Sequence, residues 1–120
     1  MVAAPTSLAQ RQGPRPRSVT EQNDTLRRTF TGGRVMLTAG IATLPDRQRG
    51  SVLAAVRAFA AFGPDNDPYG QHDFGVVEVE GIQCFWKVDA FSLDLKSASS
   101  DPVDPTVTTR VLTVMLAEEY

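Results

Sequence analysis

The chain has 120 residues, a net charge of −2, 42% hydrophobic and 22% charged residues, and one cysteine. That length holds one core and one domain, and no apolar run approaches the ~20 residues of a bilayer span. Cys84 is alone, so no intramolecular disulfide can form, and the first residues contain no signal-type apolar stretch; a cytoplasmic protein with no membrane role and no cofactor is expected.

Residues 1–18 read as a basic, flexible tail, with Pro5, Pro14 and Pro16, three arginines and no acid. Residues 19–120 form the single domain. A first helix is expected from Thr20, as N-cap, to about Phe30, with Glu21 and Asp24 in its first turn and Arg27 and Arg28 near its last. Gly32-Gly33 breaks it, residues 34–38 read as a strand, and Ala39-Gly40 as a turn. Pro45 and Asp46 open a second helix whose apolar face, Val52, Leu53, Val56, Phe59 and Phe62, carries it to about Phe62.

A hairpin follows, turning on Glu80-Gly81, so that Val79 pairs with Ile82, Val77 with Cys84 and Gly75 with Trp86. This register puts Val77, Val79, Ile82, Cys84, Trp86 and Val88 on the core face. The other face takes Phe74, Val76, Glu78, Gln83, Phe85, Lys87 and Asp89, an apolar island in a polar surround. Asp104 as N-cap and Pro105 as first residue open a last helix with Val107, Val111, Leu112, Val114 and Met115 buried. The order is α-β-α-β-β-α, a two-layer α+β domain with a three-stranded, mainly antiparallel sheet.

The loop Pro64 to Gly75 (PDNDPYGQHDFG) concentrates three aspartates and the only histidine. Asp65, Asp67 and Gly70 echo the start of a calcium loop, but Tyr69 stands where a ligand belongs and Val76 replaces the closing glutamate, so no metal is expected. His72 with Asp73 or Asp65 is the pairing that could act as a general base. Adjacent strand residues point apart, however, and no nucleophile is presented, so no catalytic residue is assigned. The third reading is structural, with Asp and Asn side chains tying the turn. A small enzyme or metal-dependent domain centred on Asp65 to Asp73 stays as the alternative.

Charge is divided along the chain. Residues 1–62 hold nine arginines against Glu21, Asp24 and Asp46, giving +6. Residues 63–120 hold eleven carboxylates against Lys87, Lys96 and Arg110, giving −8. Such an acidic half suits a protein partner with a basic surface. Direct contact with nucleic acid is expected only through the tail. The candidate partner-binding residues are Asp65, Asp67, His72, Asp73, Glu78, Glu80, Phe85 and Asp89.

Five stretches, Arg28 to Val35 (RTFTGGRV), Leu37 to Gly40 (LTAG), Pro64 to Gly75, Phe85 to Asp89 (FWKVD) and Asp104 to Leu112 (DPTVTTRVL), carry a resemblance. They resemble an uncharacterised bacterial family, a domain of unknown function with a PDNDP-x-G-x-HDFG loop, over roughly residues 20–120. Related chains tend to carry Glu at the position of Gln71, and Cys84 falls outside the pattern. The resemblance implies no activity. It implies plasmids and other mobile elements as the setting, near anti-restriction genes. The expected function is therefore non-enzymatic inhibition of host defence, anti-CRISPR or anti-restriction, by an acidic surface on a defence nuclease or effector.

Overall fold

Helix α1 (Val19–Thr29) starts where its cap allows: the Ser18 hydroxyl accepts from the Glu21 N–H, and the Glu21 carboxylate accepts from the Ser18 N–H. The structure, a computed structural model, describes residues 17–120. The expected tail therefore lies outside the described residues except for Arg17 and Ser18. Thr20, expected as N-cap, is already inside the helix, and its hydroxyl donates to the Gly70 carbonyl at 2.6 Å. Phe30 closes the helix in the left-handed region at φ 58°.

Strand β1 (Arg34–Leu37) leads into a one-turn helix, α2 (Ala39–Ala42), where a plain turn was expected. Helix α3 (Asp46–Ala58) has Pro45 as its cap and ends short of the expected Phe62. The reason lies in another element. The fully buried Arg27 donates to the carbonyls of Val56, Arg57 and Phe59, and so takes up the end of α3. Phe59 and Phe62 then leave the helix and meet Trp86 edge-on, with ring centroids 5.5 and 6.1 Å away.

Strands β2 (Phe74–Val79) and β3 (Ile82–Phe91) form the expected hairpin in the expected register, Val79 with Ile82, Val77 with Cys84 and Gly75 with Trp86. Glu80 and Gly81 both take left-handed backbone, φ 53° and 80°, the geometry of a type I′ turn. Gly75 is required by its neighbour, since a Cβ there would lie 2.3 Å from Trp86 Nε1.

The expected last helix is strand β4 (Thr109–Leu116), followed by a 3-10 turn at Ala117–Glu119. Asp104 makes a turn instead of a cap, accepting from the N–H and hydroxyl of Thr106. β4 is central, parallel to β1 on one side and antiparallel to β3 on the other. Arg110, Val111, Leu112, Val114 and Met115 are all buried, so both its faces are covered and its apolar residues do not alternate. An unbroken apolar run of this length fits a buried strand or a buried helix equally; the β-branched Val107, Thr108, Thr109, Val111, Thr113 and Val114 favour the strand.

Among the described residues the fold is thus mixed α+β, with three α-helices and one four-stranded sheet in the order β1-β4-β3-β2. It is not the three-stranded, mainly antiparallel sheet of the sequence reading. Leu26 of α1 and Val52 and Val56 of α3 pack with Val77, Cys84, Trp86, Leu112 and Val114 in the core. The helices therefore cover one face of the sheet. Among the described residues no helix is long and apolar enough to cross a membrane.

Candidate functional site

The aspartate-rich loop is built from its own side chains. Asn66 Oδ1 accepts from the Gly63 N–H at 2.8 Å, and Asn66 Nδ2 donates to the Ala61 carbonyl. The Asp67 carboxylate accepts from the His72 N–H at 3.1 Å, across a turn in which Gly70 and His72 are both left-handed, φ 66° and 54°. A histidine tolerates this region better than most residues.

Helix α1 then fastens the loop. Thr20 donates to Gly70, and Asn23 Nδ2 donates to the Gln71 carbonyl at 3.0 Å. His72 Nδ1 lies 2.9 and 3.1 Å from the two Asp24 oxygens, and Nε2 lies 3.5 Å from Asp67 Oδ2. The imidazole stacks on Phe62 with centroids 3.7 Å apart and planes 2° apart. Asp24 also pairs with Arg27 at 3.0 Å. Burial lowers the Arg27 pKa from its ordinary value, and the hydrogen bond and charge of Asp24 oppose that shift. The guanidinium lies 5.4 Å from the Phe62 centroid and 5.3 Å from that of Trp86.

The histidine's carboxylate partner is thus Asp24, 48 residues away in sequence, not Asp73 or Asp65. An aspartate on Nδ1 orients an imidazole as it would a general base. Here, however, Nε2 faces the nearly buried Asp67 rather than open space. Asp65 lies in the exposed turn, and Asp73 spends its carbonyl on the Val88 N–H. Asp73 lines a pocket of 240 Å³ with Asn23, Gln71 and Arg110. Arg110 is buried, which lowers its pKa, and donates to Asn23, Gln22 and the Pro102 carbonyl. Cys84 is fully buried on the core face, and burial pushes its thiol pKa up. Among the described residues no three His, Cys, Asp or Glu side chains form a group that could hold a metal ion.

The remaining candidates lie elsewhere. Glu80, in the hairpin turn, forms a two-pronged pair with Arg47 at 2.6 and 3.0 Å, which lowers the Glu80 pKa and raises that of Arg47. Glu78, Phe85 and Asp89 share the sheet face away from the helices, with Glu78 and Asp89 toward opposite ends of it. There the rings of Phe74, Phe85 and Tyr120 form a cluster with centroids 5.3 to 6.0 Å apart. Val76 beside them is 41% exposed and Tyr120 73%. Asp89 is paired with Lys87 at 3.2 Å, whereas Glu78 is exposed and unpaired among the described residues.

Across the same face, beside β1, runs a groove of 450 Å³ lined by Met36, Phe91, Leu95, Val111 and Thr113, with Arg34 as its one charged wall. Leu95 is held in left-handed backbone at φ 65°, and Asp94 ties its loop by accepting from Ser92 Oγ and the Lys96 N–H. Sequence reasoning missed this groove, together with Asp24, Arg27, Asn23 and Tyr120. The Asn23–Arg27 spacing of four, beside Leu26, was the available signal that a polar pair shares the inward stripe of α1.

Residues 37–119 match the family described as Protein of unknown function (DUF3768). No curated protein and no solved structure matches. The matched span contains the loop, both hairpin strands and β4, and begins after Asp24 and Arg27.

Proposed function

The chain belongs to the DUF3768 family, whose function is unknown, and from its own surface we propose that it is a non-enzymatic binding protein. Its docking face is the helix-free side of the sheet, and its partner is a protein with a basic surface. The observation that carries the reading is that the exposed Glu78, unpaired among the described residues, shares one sheet face with the Phe74, Phe85 and Tyr120 rings, with Asp89 farther along the same face. An exposed ring, Tyr120, backed by two half-buried ones and flanked by that Glu78, is what a protein contact needs: the rings supply area to bury and the acid selects the partner's sign. Of the loop residues, Asp67 and His72 then serve mainly to hold the fold, Asp73 through its carbonyl, and Asp65 lies exposed in the turn. With the resemblance to proteins of bacterial mobile elements, the partner class is a nucleic-acid-binding defence protein, and the role is anti-CRISPR or anti-restriction inhibition in the cytoplasm.

Affinity capture of host proteins at physiological salt tests this. The wild type should recover a nucleic-acid-binding protein, competed away by added DNA or RNA. A Glu78→Lys/Asp89→Lys variant should lose it. Recovery of no such protein by either, or equal recovery by both, sinks the proposal. A calorimetric titration with calcium, magnesium and manganese checks the metal-dependent alternative, and a saturable heat of binding would favour it.

A further inference from the structure

The helix-free face carries opposite features on its two sides. The strand register sets Arg34, Val111 and Asp89 in one row, and Met36, Thr113, Lys87 and Phe74 in the next. Met115, Phe85 and Val76 follow, then Gln83 and Glu78. Arg34 and Glu78 therefore stand at opposite corners, both exposed and neither with an ion-pair partner among the described residues. Beside Glu78 lies the aromatic cluster, half-buried at Phe74 and Phe85 and exposed at Tyr120, which forms the knob of this face, and beside Arg34 lies the 450 Å³ apolar groove.

We propose that this face pairs with the same face of a second copy, the Phe74–Phe85–Tyr120 knob of each entering the Arg34-walled groove of the other. A two-fold axis lying in the interface, across the diagonal between the two corners, does both jobs at once. It brings Glu78 of each copy to Arg34 of the other and sets Phe85 and Val76 over Thr113 and Val111 in the groove, as a self-complementary contact requires. Lys87, its charge paired with Asp89, lies on the axis. Such an axis crosses the strands of the two sheets at about 90°, one of the two stable ways for sheets to stack.

Strand and residue spacings make the projected face about 400 Å² per copy. With the relief of its side chains, two copies bury on the order of the 1,000 Å² that a specific contact needs. The groove and knob would otherwise leave Met36 at 53% and Val76 at 41% exposure in water. The pairing covers the face proposed for a basic partner, so that partner would have to displace the second copy. The dimer does not depend on that partner: failure to find one leaves the dimer standing, and the reverse also holds.

Sedimentation of the purified full chain, from micromolar to hundreds of micromolar, tests the pairing without any other protein. The wild type should dimerise with concentration. Glu78→Arg or Arg34→Glu alone should weaken the dimer about tenfold or more, by setting like charges opposite, and the double variant should restore it. Tyr120→Ser, an exposed residue outside the core, should weaken it as well and guards against a folding artefact. A monomer at every concentration overturns the proposal and leaves the face to a different protein. A dimer indifferent to these changes, or a double variant that fails to recover, overturns it equally.

Discussion

Arg27 joins more of the molecule than any other side chain described. It holds the carbonyl end of α3, the Asp24 carboxylate and two aromatic faces from a fully buried position. Removing one partner of such a buried set strands the rest, at a cost of roughly 3–5 kcal/mol. Arg27→Ala should therefore lower the free energy of unfolding measured in urea by that much, with a lower urea midpoint. Arg27→Lys should also destabilise, because one ammonium cannot serve three carbonyls and a carboxylate with a planar fork's geometry. A midpoint unchanged in Arg27→Ala contradicts this role. At Gly75 the argument is steric. A methyl 2.3 Å from Trp86 Nε1 must displace the indole, so Gly75→Ala should cost about 1–3 kcal/mol. Trp86→Phe should recover part of that loss in a double-mutant cycle, and strict additivity would show that the two do not meet.

Among the elements, β4 decides the architecture. It bonds to β1 on one side and β3 on the other, whereas β1 and β2 are paired on one side only. Its amides should be the slowest in the sheet to exchange with deuterium, with Leu112 and Val114 near the global limit and β1 faster. Exchange of β4 as fast as that of β1 would contradict the strand order. The hairpin was legible because alternation is a local signal: Val77, Val79, Cys84, Trp86 and Val88 fall at alternate positions around a two-residue turn, with mostly polar residues between them. β4 was not, because burial on both faces erases alternation and leaves a run that reads as either element. The end of α3 was equally hidden, since the guanidinium that takes it up comes from 29 residues earlier. The candidate site divides in the same way. Glu78, Phe85 and Asp89 could be placed on one face by counting residues. The Asp24–His72 contact and the Arg34 groove arise only when distant segments are folded together.

Over the whole molecule, several surface carboxylates are held by hydrogen bonds that favour the charged form. Thr38, with the backbone N–H groups of Leu116 and Gly40, lowers the Glu119 pKa from its ordinary 4.5. Arg47 does the same for Glu80, also from 4.5. Ser92 and Thr106 lower Asp94 and Asp104 from 3.8. Each group binds its proton more weakly folded than unfolded, so its stabilisation is complete above the ordinary value and is lost as pH falls through the folded one. Thermal midpoints should hold near neutrality and fall below about pH 5, and Glu119→Gln should flatten that fall. A profile level down to about pH 3 would contradict these contacts.

The charge division of the sequence is partly spent inside the fold, in pairs such as Arg47 with Glu80 and Lys87 with Asp89. What remains unpaired on the helix-free face is therefore the informative part. The most direct measurement is binding of the captured partner by two charge-reversed variants of equal net charge. One is Glu78→Lys on that face, and the other is Asp65→Lys in an exposed loop. Loss of binding in the first alone, with the second matching wild type, is the expected result. Equal loss in both would mean that net charge, and not this face, governs the contact.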